Sequence, residues 1–153
     1  NFARWYGGFQ SYIVAQEFGV DKWAQDSHAK RENEHNIPDL NHLQRLPWAG
    51  WMNVLSTFKY AVHLMPTVAA GTFSLNCAYF GIPCIGNIKV DTQRLCHPDL
   101  SVAVDDIEKA RSLANRLKND PNFYNKCSNQ TKELYNEHYN LDLWKTKMHN
   151  ILS

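Results

Sequence analysis

From Tyr60 to Ile88 the chain carries no Asp, Glu, Lys or Arg. An uncharged run of this length can cross a bilayer, but this one is interrupted by His63, Pro66, Gly71, Asn76, Gly81 and Pro83. Two prolines, two glycines and an amide would leave polar groups without partners in lipid. The run is therefore expected inside a packed fold as strand, loop, helix and strand. Tyr60 to Met65 is apolar on both faces, as in a parallel strand covered on both sides, and Pro66 stops it. Thr67 to Gly71 is a loop of small residues. Thr72 to Phe80 is a helix that Gly81 ends, with Pro83 just beyond. Ile82 to Ile85 is a second buried strand closed by Gly86.

The remaining chain supports such a core. At 153 residues and 44% hydrophobic, a chain buries roughly 68–70% of its unfolded surface and needs neither disulfide nor metal to hold together. Sixteen basic and fifteen acidic residues give a net charge of +1, which argues against a nucleic-acid binder and against an acidic tail. Cys77, Cys84, Cys96 and Cys127 form no C-x-x-C pair. Cys77 and Cys84 read as small buried apolar residues, and Cys96-His97 as half a metal site with no second half nearby. A reducing, cytoplasmic setting is expected. Asn129-Gln130-Thr131 matches a glycosylation sequon by pattern alone. The chain opens on Asn1 rather than Met and is expected to be a piece of a larger one.

Apolar spacing from Phe9 to Phe18 predicts a helix ending at Gly19, after a tight turn at Gly7-Gly8. Asp21 to Asn41 is polar and reads as a surface loop or exposed helix. A short strand is expected over His42 to Leu46, closed by Pro47, and a helix over Trp51 to Phe58. The last third is helical. Asp105 and Glu108 form a capping box ahead of the stripe Ile107, Ala110, Leu113, Ala114, Leu117. Asp120-Pro121 starts a second helix, and Leu141, Trp144, Met148 and Ile151 mark a third. The fold class expected is α/β: a Rossmann-like parallel sheet flanked by helices, with a helical C-terminal tail. Only about three strands are evident, where a doubly wound sheet has five or six.

The chemistry centres on Pro66 to Gly86. Open α/β sheets bind ligands beyond the C-terminal ends of their strands. A helix beginning there offers free amides and the positive end of its dipole. Ala69, Ala70 and Gly71 are small enough to admit an anion to the backbone, and Thr72 and Ser74 add hydroxyl donors. A phosphate or diphosphate fits, with each charge-assisted bond contributing about 1.5–3 kcal/mol. The alternative is an ordinary turn with Thr72 as a plain helix start.

The strand, the segment Pro66 to Phe73 (P-x-x-x-x-G-x-F), the helix, the Gly81-Ile82-Pro83-Cys84-Ile85 turn and the Asn119-Asp120-Pro121 helix junction resemble the C-terminal half of GT-B-fold glycosyltransferases. The resemblance spans about Leu43 to Ser153, including the helix around Trp51 to Leu55. It implies that residues 1–153 form a single Rossmann-like donor-binding domain, the C-terminal half of a two-domain protein. Its partners would be a nucleotide-sugar donor and a carbohydrate or other acceptor presented by an N-terminal domain. Gly71, Thr72, Phe73 and Ser74 match the loop and helix start that hold the donor diphosphate, and Pro47-Trp48 the loop near the base. Arg4, after a strand at Asn1 to Ala3, matches a basic residue facing the phosphates. Asp91, Thr92 and Gln93 follow the second strand toward the same crevice. Many retaining members carry two glutamates where this chain has Val68 and Asn76, and Asn76 can hydrogen-bond a hydroxyl but supplies no carboxylate. His63 reads as a core histidine rather than a base. No catalytic residue, metal or cofactor is assigned, and no transmembrane segment is expected. A non-catalytic phosphate-ligand module, a sugar-nucleotide epimerase-like domain and a helical interaction domain are the alternatives.

Overall fold

A computed structural model describes residues 7–25, 37–69 and 71–152. Arg4, the strand expected at Asn1 to Ala3, and Ala70 lie outside the described residues. The chain is α/β. Helix α1 (Gly8–Ala15) runs into a 3-10 turn (Gln16–Phe18) and is followed by β1 (Lys22–Gln25), β2 (Leu40–Leu43) and α2 (Trp48–Leu55). Then come β3 (Ala61–His63), α3 (Thr72–Phe80), β4 (Cys84–Asn87), α4 (Asp91–Cys96) and β5 (Ser101–Val102). Helices α5 (Ile107–Asn119), α6 (Pro121–Tyr139) and α7 (Leu141–Leu152) complete the chain as a helical tail.

The strands form two parallel sheets, β1-β2 and β3-β4-β5. In the larger one Ala61 lies beside Cys84 and Val62 beside Ile85. Successive strand residues face opposite sides of a sheet, and the core divides accordingly. Ala61 and Cys84 pack with Leu55, Cys77 and Ile82 under α2 and α3. Val62 and Ile85 pack on the other side with Val14 of α1, Phe18 of the 3-10 turn and Ala110, Ala114 and Leu117 of α5. Both faces are covered, which is why this segment carries no charge.

Several boundaries differ from expectation for local reasons. The stretch Asp21 to Asn41, expected as a surface loop or exposed helix, contains β1, and the strand expected at His42 to Leu46 forms earlier, as β2; the two pair with each other rather than with the central sheet. Helix α2 begins three residues before Trp51, at Trp48. It ends at Leu55 because the Ser56 and Thr57 hydroxyls turn back onto the carbonyls of Asn53 and Val54. Strand β4 starts at Cys84 because Ile82 is taken up in closing α3, its amide donating to the Cys77 carbonyl at 2.9 Å. Asp106, not Asp105, caps α5 by accepting from the Lys109 amide, and Glu108 instead reaches Arg111 at 3.3 Å. Asp120 caps α6 as expected, accepting from the amides of Asn122 and Phe123 at 3.0 Å each. Among the described residues no helix is long and apolar enough to cross a membrane.

Candidate functional site

The parallel strands β3 and β4 deliver the chain to one edge of the sheet, where α1, α3 and α4 all begin. Gly7 precedes α1 in the left-handed region (φ 61°), and a Cβ there would sit 1.7 Å from the Leu64 carbonyl oxygen. The Ser11 hydroxyl donates to the Gly7 carbonyl (2.8 Å) and accepts from the Leu64 amide (2.9 Å). The first turn of α1 is thereby pinned to the chain leaving β3. Asn87, almost wholly buried, joins the two strand exits. Its amide donates to the Met65 carbonyl at 2.8 Å, and its side-chain oxygen accepts from the Lys89 amide at 3.0 Å.

At α3 the residue before the helix is Gly71, again left-handed (φ 63°) and without a side-chain cap. The first helical bond runs from the Leu75 amide to the Gly71 carbonyl at 3.2 Å. The amides of residues 72–74 therefore precede the helical ladder. The Gly71 carbonyl also accepts from Ser74 Oγ (2.9 Å) and Thr92 Oγ1 (2.8 Å), and those hydroxyls lie 2.8 Å apart. Three oxygens thus share two hydroxyl protons in a buried triangle that locks the start of α3 to the first turn of α4. A Cβ on Gly71 would fall 2.1 Å from Thr92 Oγ1 and 2.4 Å from Val90 Cγ1.

The expected site residues divide in two. Ser74 and Gly71 are buried and form the triangle, whereas Thr72 faces solvent at the helix start. Phe73 is half-buried, its ring 5.2 Å from His63 and 6.3 Å from Trp51. Trp48 is 63% exposed at the beginning of α2, one turn before Trp51 and so on the same side of that helix. Asn76 is half-buried, and Val68 is 62% exposed. Asp91 is exposed and pairs with Arg94 at 3.1 Å. Gln93 is buried away from the edge, donating to the Cys84 carbonyl at 2.8 Å. Among the described residues its Oε1 has no hydrogen-bond partner, and it lies against Gly86, where a Cβ would come within 2.5 Å of it.

Burial lowers the His63 pKa to about 4, so its ring is neutral at pH 7 beside the start of α3. His97 is also lowered to about 4 by burial. Its Nε2 lies 2.9 Å from the Ser74 carbonyl and its Nδ1 lies 2.6 Å from Thr131 Oγ1, with the Cys84 amide donating to Nδ1 at 3.4 Å. Because a carbonyl only accepts, Nε2 carries the proton. Both ring nitrogens are engaged in joining α3, β4 and α6, which leaves neither for a metal. Among the described residues no group of three or more His, Cys, Asp or Glu is placed to hold a metal ion. All four cysteines are free and buried, and burial pushes Cys96 and Cys127 up to about 11. The bridging roles of Asn87 and His97 have no sequence signal, because each depends on which strand exit or helix is opposite. Comparison with known protein families, curated proteins and solved structures finds no match to this chain.

Proposed function

We propose that the chain is the donor-binding half of a GT-B-like glycosyltransferase and holds the diphosphate of a nucleotide sugar at the start of α3. The observation that carries this reading is the N-terminus of α3. It has no side-chain cap, lies past the end of a parallel strand and presents the exposed Thr72. Amides at a helix start and the dipole behind them favour an anion there. The Thr72 hydroxyl adds a donor. Ser74 contributes indirectly, since its hydroxyl holds the Gly71 turn with Thr92. Trp48, exposed one turn from the Trp51–Phe73 contact, offers a face for the base to stack on.

In the intact protein an acceptor bound by an N-terminal domain would meet the sugar across this edge. The helix start would stabilise negative charge on the departing diphosphate, an electrostatic contribution made by donors already in place. The buried thiols fit a reducing, cytoplasmic setting. A second reading, a phosphate-ligand module without transfer, is favoured by Val68 and Asn76 at the positions where related enzymes carry glutamates.

Titration calorimetry of the 153-residue chain with UDP, GDP, ADP and their sugars tests the proposal. At least one is expected to bind, and Thr72→Val and Trp48→Ala each to weaken it about tenfold, the loss of one charge-assisted bond or one stacking face. No binding by any nucleotide, or full binding by both variants, would overturn it. Binding in a full-length protein without turnover would select the second reading.

A further inference from the structure

Helix α7 contains no buried residue and packs chiefly on α6. At 100° per residue, Leu141, Trp144, Met148, Ile151 and Leu152 fall within an arc of about 100°. Most of that arc is bare: Leu141 is 61% exposed, Trp144 58%, Ile151 75% and Leu152 79%. On the same wheel Lys145 lies just past one border of the arc and Lys147 just past the other, and both are exposed. Asp142, the only acidic residue of α7, lies on the polar side and is 3.8 Å from Lys145. Leu141 and Trp144 also line a cleft of about 710 Å³ with Tyr135, His138, Tyr139 and Lys147. None of the α3 residues borders that cleft.

We propose that α7 seats the protein on an anionic lipid surface, with the apolar arc in the interface and Lys145 and Lys147 against the headgroups. An apolar stripe bordered on both sides by lysines, with a tryptophan on it and tyrosines beside it, is the pattern of a helix lying in the plane of a membrane surface. The flanking charge selects this occupant over a second copy of the chain. Antiparallel pairing of two such arcs sets each flank against its own counterpart, lysine facing lysine, and parallel pairing sets Lys145 against Lys147. Both arrangements are repulsive, whereas anionic headgroups attract both flanks at once. This inference is independent of the nucleotide site.

Vesicle flotation of the 153-residue chain tests it. The protein is expected to float with phosphatidylcholine vesicles that contain phosphatidylserine, to stay behind with phosphatidylcholine alone, and to be released by high salt. The double variant Ile151→Asp with Leu152→Asp changes only strongly exposed positions, so it should keep the wild-type melting temperature and lose flotation. Lys145→Glu with Lys147→Glu should weaken binding about tenfold or more. The proposal fails if no vesicle is bound, or if both variants float like wild type. It also fails if sedimentation reveals a dimer that the aspartate variant abolishes while no vesicle is bound, since a second copy then covers the arc.

Discussion

Gly71 carries two constraints, a left-handed backbone and the side chains of Val90 and Thr92 against its bare Cα. The sequence places a small residue at a helix start but does not say what fills the space beside it. His97 is the sharper case. In sequence Cys96-His97 reads as half a metal site without a second half, yet His97 is 2% exposed with both nitrogens bonded. Its neutrality has a measurable consequence. The folded pKa is about 4, against 6.5 for the free side chain, so the unfolded chain takes up the proton first as the pH falls. Stability should therefore be full above pH 6.5 and decline toward pH 4, by about 3 kcal/mol for a shift of this size. His63, lowered to about 4 in the same direction, adds to the slope. Urea unfolding across this range should give a declining midpoint, and His97→Gln should flatten the decline. A midpoint indifferent to pH between 6.5 and 4.5 would contradict the burial of these rings.

Among elements, those announced by local chemistry form where their signals stand. Helix α3 spans the residues expected, because Gly71 and Gly81 bound it on the two sides. Helix α6 starts at Asp120-Pro121, where the carboxylate accepts two amide bonds. Asp120→Ala should lower stability by about 1 kcal/mol, read as a shift in urea midpoint with an unchanged slope, and Asp120→Asn should restore most of it. Elements without such signals were not legible. Strand β5 has two residues and is a strand only because it pairs with Gly86 and Asn87 of β4. Gly86 and Asn87 are themselves poor strand formers; Gly86 is held between His63 of β3 and Ser101 of β5, and Asn87 pairs with Val102 of β5. Helix α4, six residues long, takes its position from Thr92 bonding to Gly71 and from the burial of Gln93 and Cys96.

At the scale of the molecule, contacts far apart in sequence decide how α1 and the 3-10 turn close one face of the sheet. Glu17 accepts from Arg111 Nε at 2.5 Å and from Asn115 at 2.8 Å, and its carbonyl accepts from Lys118 at 3.2 Å. The hydrogen bond from Arg111 holds the Glu17 carboxyl below its ordinary value. A depressed carboxylate stabilises the fold above its unfolded pKa of 4.5, and that contribution is lost as the pH falls through the folded value. Glu17→Ala should lower the melting temperature at pH 7, and the gap from wild type should narrow in acid. An equal gap at both pH values would show that the carboxylate charge is not what ties the turn to α5.

The uncharged segment at 60–88, its prolines and glycines, and the helix caps of the last third act over a few residues. They mark the α/β class, the central strand–helix–strand unit and the helical tail without reference to any long-range contact. Which hydroxyl faces solvent, which is tied up and which histidine is dry depend on side chains brought together from distant parts of the chain. Thr72 and Ser74 are both hydroxyl residues within the first turn of one helix. One faces solvent and the other is bonded to Thr92, and that difference exists only once α4 has packed against α3.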